Sequence, residues 1–158
     1  MIGTLLVTAL IVNASEAQAP IETNTSDVWV YQTIEKKITE KEYLYNLFSR
    51  AGLNWRFYQI EIIYFEESRC NLNINCKKPL KWFKSFIDLQ AKNPSSSALG
   101  IGQFLNGTWE NYECLGDRTN FYDTADCTLK AVQINGIKDW CADPSMVSKL
   151  SNYDISCG

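Results

Sequence analysis

Two short stretches carry residue types with chemical potential. Glu67-Ser68 offers a carboxyl group at the end of an apolar stripe, and Ala98-Leu99-Gly100-Ile101-Gly102-Gln103 offers two positions without side chains, then a long amide. Glycines let a backbone approach a ligand closely, and glutamine both donates and accepts hydrogen bonds. Such a pairing supports acid–base chemistry at a glycine-lined wall. The chain contains no histidine, which excludes Ser-His-Asp and Cys-His nucleophilic machinery and zinc sites of the His-x-x-x-His type. Proton transfer therefore falls to carboxylates.

The surrounding spacing predicts the elements that hold these residues. Thr39-Glu40-Lys41-Glu42 matches a capping box, Leu44, Leu47 and Phe48 follow at helical intervals, and Gly52 ends a helix over about 39–51. Asn54 is placed to cap a second helix running through Tyr58, Ile60, Ile63 and Tyr64 to Glu67. Ile60, Ile63 and Tyr64 precede Glu67 by seven, four and three residues and share its face. Desolvation there would raise the pKa of Glu67 and keep it protonated, as a general acid requires. Glu66 is rotated by about 100° toward Gln59 and Ile62.

Residues 70–97 read as an insertion. Cys70 and Cys76 pin its start, Pro79 opens a helix with an apolar face of Trp82, Phe83, Phe86, Ile87 and Leu89, and Asn93-Pro94-Ser95-Ser96-Ser97 breaks it. Thr108-Trp109 begins a further helical piece. Asp123 or Thr124 caps a helix through Leu129 and Val132 that stops at Asn135-Gly136, and Asp143-Pro144 opens a last short helix in N-cap then N1 order. No alternating strand run of convincing length and no internal repeat is present, so the class is mostly α.

As a phosphate cradle the glycine segment fails. Gly102 and Gly107 have P-loop separation, but Thr108-Trp109 stands where Lys-Ser/Thr is required, and no third glycine completes a dinucleotide fingerprint. No Gly-x-Ser-x-Gly elbow occurs either. N-acetyl sugars do present groups that complement an exposed backbone and a glutamine amide.

At 158 residues the chain is sized for one domain. A formal charge of -3 argues against a nucleic-acid binder. Residues 77–92 nonetheless carry Lys77, Lys78, Lys81, Lys84 and Lys92 against Asp88 alone, while 110–126 is acidic. The plain reading is two solvated faces of opposite sign, and the sharper one is docking on an anionic polymer such as cell wall.

Residues 2–12 form an apolar run too short to span a bilayer, followed by the small-x-small pattern Ala17-Gln18-Ala19. A signal peptide over 1–19, an N-terminal arm over 20–34 and a folded domain over 35–158 are expected. Six cysteines, Cys70, Cys76, Cys114, Cys127, Cys141 and Cys157, agree with export and a disulfide framework. Fifteen pairings are open, of which the sequential one closes only short loops. A bridge over the 114–127 loop would contribute about 3 kcal/mol on the chain-entropy model. A thiolate metal site would need Cys-x-x-Cys spacing, which is absent.

Taken in order, Glu67-Ser68, Ser97 through Leu105, Thr108-Trp109, and Ala131 through Ile137 with Trp140 resemble the lytic transglycosylases of the lysozyme-like superfamily (glycoside hydrolase family 23). The resemblance covers roughly residues 50–142. It implies a lysozyme-like, disulfide-stapled domain in which Glu67 is the single catalytic acid and base. Ser68 would support the site at the helix end. Ala98, Gly100, Gly102 and Gln103 would line a sugar subsite, with Gln103 toward the N-acetyl group or the glutamate. The family's Ala-Tyr-Asn-Ala-Gly segment appears here as Ala131-Val132-Gln133-Ile134-Asn135-Gly136, without its tyrosine, so Tyr122, Gln133 or Asn135 would stand in.

The expectation is an exported periplasmic or extracellular monomer acting on peptidoglycan glycan strands. It needs no nucleic acid, metal, organic cofactor or membrane span after signal removal. A hydrolytic muramidase with Asp88, Asp117 or Asp123 as second carboxylate, and a non-catalytic wall-binding module, are the alternatives.

Overall fold

The computed structural model describes residues 38–70, 76–82 and 85–157. The signal peptide expected over 1–19, the arm over 20–34, and Phe83 and Lys84 lie outside the described residues. Lys37–Gly158 forms a compact unit. Among the described residues, five α-helices run Glu40–Arg50 (α1), Phe57–Ser68 (α2), Asn106–Asn111 (α3), Phe121–Asn135 (α4) and Pro144–Ser151 (α5). Short 3-10 turns occupy Asn54–Arg56 and Trp140–Ala142. Three strands, Arg69–Cys70 (β1), Pro79–Trp82 (β2) and Ser85–Asp88 (β3), pair antiparallel in the order β1-β3-β2.

About half of the described chain is thus helical, and a small sheet stands where a helix was expected. Short apolar runs rich in aromatic and β-branched residues fit either state, so their partners decide. Here the decision is tertiary. Helix α2 runs straight into β1, and Cys70 bridges Cys76, which returns the chain beside it. The Asp88 carboxylate then accepts the backbone N–H groups of Lys77 (2.9 Å), Lys78 (2.8 Å) and Gln90 (2.9 Å). Pro79, at the first position of β2, withholds no N–H that the strand interior needs.

Trp82 fixes the sheet against the helices. Fully buried, it donates from Nε1 to the Glu61 carbonyl at 3.3 Å and packs with Tyr64 and Phe121. Tyr64 shares a 2.6 Å hydrogen bond with Thr128 of α4. Lys41 of α1 pairs with the buried Glu61, so α1, α2, α4 and β2 meet around one aromatic cluster.

The capping box at Thr39 and Glu42 forms, and Gly52 takes a left-handed φ of 71° just beyond α1. Asn54 does not cap α2. It begins the 3-10 turn, whose backbone supplies the helix entry, with Arg56 N–H on the Leu53 carbonyl at 2.8 Å. Neither Asp123 nor Thr124 caps α4, since Asn120 accepts the N–H groups of Tyr122 and Asp123. Asp143 and Pro144 do open α5 as N-cap and first residue.

The bridges are sequential: Cys70–Cys76, Cys114–Cys127 and Cys141–Cys157. The second ties the chain just beyond α3 to α4, and the third ties the 3-10 turn before α5 to the chain beyond it. No helix among the described residues is long and apolar enough to cross a membrane.

Candidate active site

A cleft of about 210 Å³ opens where the end of α2, the chain from Asn93 to Leu105, α3 and the Asp139–Asp143 segment converge. One liquid water occupies about 30 Å³, so the space suits a group of several heavy atoms. Glu67, Ala98, Gly102 and Gln103 line it, joined by Asn93, Ser96, Thr108, Asp139, Trp140 and Asp143.

Glu67 reaches the cleft because α2 stops one residue later. Its neighbours Ile60, Ile63 and Tyr64 are fully buried in the core, whereas Glu67 is only partly exposed at the cleft. Burial pushes its carboxyl group up to about 7, with Lys149 pulling down and Asp143 and Glu66 pushing up. A group poised near neutrality can give a proton and take one back.

Glu66 is directed elsewhere. Only 7% exposed, it accepts the Tyr153 hydroxyl at 3.0 Å and lies 3.8 Å from the Arg69 guanidinium. Ser68 is buried and donates back to the Tyr64 carbonyl at 2.7 Å, satisfying an end-of-helix acceptor rather than entering the cleft.

The glycine wall is built by tight intramolecular packing. Gly100 has φ 77°, and a Cβ there would sit 1.8 Å from the Arg118 carbonyl oxygen. Its bare side is therefore filled by the protein, and Gly100 is not among the cleft-lining residues. A Cβ on Gly102 would meet the Phe104 ring at 2.7 Å. The turn is held by Trp140, whose Nε1 donates to the Gly102 carbonyl at 2.9 Å, and by Arg118, which donates to the Ser97 and Phe104 carbonyls at 2.8 Å each.

Gln103 spends its amide nitrogen on the Ala91 carbonyl (3.1 Å) and the Gly100 carbonyl (2.7 Å). What it retains for a ligand is the acceptor oxygen.

Of the stand-ins for the missing tyrosine, Tyr122 and Gln133 lie on exposed positions of α4 outside the cleft lining, Tyr122 edge-on to Tyr43 at 4.8 Å. Asn135 comes nearer, because its side chain donates to Asp139, a cleft residue, at 3.2 Å. The proposed second carboxylates are not at the cleft. Asp88 closes the sheet turn, Asp117 accepts Thr119 N–H at 2.7 Å, and Asp123 accepts Asp117 N–H at 2.8 Å. The carboxylates beside Glu67 in the cleft are Asp139 and Asp143.

The sequence marks Asp143 only as a helix cap and Asn93 and Ser96 only as part of a helix-breaking run, and it gives Asp139 no role. No periodicity marks Asp139, because α4 ends at Asn135 and the Gly136 turn separates the two residues.

Glu67 also makes stability depend on pH. Its ordinary value of 4.5 rises to about 7 on folding, so below 4.5 the proton is bound in both states and nothing is lost. As pH rises from about 4.5 through about 7, the unfolded chain releases the proton before the folded one, and stability falls by at most about 3 kcal/mol. Asp88 and Asp117, both held below the ordinary carboxylate value, act in the opposite sense at lower pH. Urea unfolding of wild type and Glu67→Gln at pH 5 and pH 8 isolates the effect. Wild type should lose stability relative to the variant at pH 8, and parallel behaviour would contradict a buried Glu67.

A scan of protein-family models, a search of curated proteins and a search of solved structures each find no match to this chain.

Proposed function

We propose that this protein is an exported, lysozyme-like domain that acts as a peptidoglycan lytic transglycosylase, cleaving the β-1,4 bond between N-acetylmuramic acid and N-acetylglucosamine. The observation that carries the reading is Glu67 itself, a single carboxyl group raised to about 7 by burial inside a cleft. Its proton passes to the glycosidic oxygen as the bond to C1 breaks and the N-acetylglucosamine side departs as an alcohol. The carboxylate so formed takes the proton of the 6-hydroxyl of the muramic residue, whose oxygen bonds to C1 and closes a 1,6-anhydro ring. Glu67 ends protonated, and no water is consumed.

The Gln103 acceptor and the N–H and O–H groups of an amino sugar are complementary in type.

Asp139 and Asp143 favour a second reading, a hydrolytic muramidase with one of them as partner carboxylate. Incubation with purified sacculi and mass spectrometry of the released muropeptides separates the readings. Anhydro ends, 18 mass units below the reducing form by loss of one water, are expected (about 18 Da from elementary mass balance). Reducing ends alone would establish hydrolysis, and binding to sacculi without any release would leave a wall-binding module.

A further inference from the structure

Asp139 lines the same cleft as Glu67 but has no part in the two proton transfers of the transglycosylase reaction. Its two carboxylate oxygens take different donors: the Tyr112 hydroxyl binds Oδ2, and Asn135 Nδ2 binds Oδ1 at 3.2 Å. The same Asn135 nitrogen donates to the Tyr112 hydroxyl oxygen at 2.8 Å. Three side chains from separate places, the C-cap of α3, the last residue of α4 and the segment leading into α5, thus close a hydrogen-bonded ring. Burial, then the bond to Asp139, push Tyr112 ionisation up to about 12, so the phenol keeps the proton it donates.

A carboxylate has about four acceptor positions, and Tyr112 and Asn135 occupy one on each oxygen. The rest are available to a ligand in the cleft. The backbone beside Asp139 is also anchored, since its neighbour Trp140 is buried and bonded to the Gly102 carbonyl in the glycine turn. An acceptor held by two donors, on a fixed segment, costs little conformational entropy when it binds.

We propose that Asp139 is a glycan-binding residue that accepts a hydrogen bond from a sugar hydroxyl or acetamido N–H, with Tyr112 and Asn135 as its positioning residues. This rests on the glycan reading of the cleft. It gives Asp139 a role in ground-state affinity rather than in bond breaking. Tyr112 enters only through Asp139.

The test is calorimetric titration of the β-1,4-linked N-acetylglucosamine trimer into Glu67→Gln protein, which binds without turnover, and into the same protein carrying Asp139→Asn, Tyr112→Phe or Glu110→Gln. Loss of a charge-assisted hydrogen bond weakens binding by about tenfold or more, and that is the result expected for Asp139→Asn. Tyr112→Phe should weaken binding by about threefold with the unfolding temperature held within the parent's error, which separates positioning from general damage. Exposed Glu110, outside the cleft, should change nothing. Parent-like affinity in Asp139→Asn would overturn the assignment alone. Failure of the parent itself to bind the trimer would overturn the glycan reading and this assignment with it.

Discussion

Glu67→Gln is expected to lower release of muropeptides from sacculi by about a thousandfold or more, at the upper part of the range for a lost general acid–base group. Glutamine matches glutamate in size and keeps one acceptor oxygen, but it has no proton to give to a glycosidic oxygen. It is equally unable to take one from a 6-hydroxyl. Both halves of the proposed cycle fail together. The fold should persist, because the nearby core made by Ile60, Ile63 and Tyr64 is untouched and position 67 no longer carries a carboxylate to be desolvated. Activity measured against pH in wild type should fall at alkaline pH as Glu67 loses its proton near 7. A variant retaining a tenth of wild-type turnover would end the claim that Glu67 is the acid.

Among the glycines of the described residues, Gly100→Ala should be the most damaging alanine substitution. Two costs add there. The φ of 77° disfavours any residue with a Cβ, and the new atom would stand 1.8 Å from a backbone oxygen, that of Arg118, which cannot rotate away. Gly52→Ala measures the first cost alone, since its φ is 71° and nothing lies within 4 Å of the added atom; about 1 kcal/mol is expected. Gly107, in α3 with open space around it, should instead gain about 0.5–1 kcal/mol from alanine. For Gly100→Ala a loss of about 4 kcal/mol or more follows from strain plus overpacking. Denaturant midpoints for the three variants rank them directly. If Gly100→Ala matched Gly52→Ala, the close packing of the turn against Arg118 would be wrong.

These glycines show how far a motif can be read. Gly100 and Gly102 had suggested a backbone open to a ligand, but the space beside Gly100 is taken by Arg118, and that beside Gly102 by Phe104. A glycine announces a close approach without naming what approaches. The strand pair was hidden for a related reason: Trp82, Phe86, Ile87 and Leu89 have helical spacing and do not alternate as a strand would, and only Asp88, the Cys70–Cys76 bridge and the Trp82 seat against α2 select the strand. Asn54 and Asp123 are good capping residues that lost to the 3-10 turn and to Asn120.

What the sequence determined by itself was local: the capping box that starts α1, the run from Ile60 to Glu67 as one helix, the end of α4 at Gly136, and the Asp143-Pro144 start of α5. Each depends on residues within about four positions of one another, where periodicity and capping act. The tertiary structure decided which cysteines pair, which carboxylates share the cleft, and how deeply Glu67 is withdrawn from water. Its acidity is set by burial and by Lys149, Asp143 and Glu66. Burial, and the charges of Lys149 and Asp143, reach Glu67 only when α5 packs on the end of α2. Desolvation and Coulomb interaction depend on distance through space, and distance along the chain does not fix it.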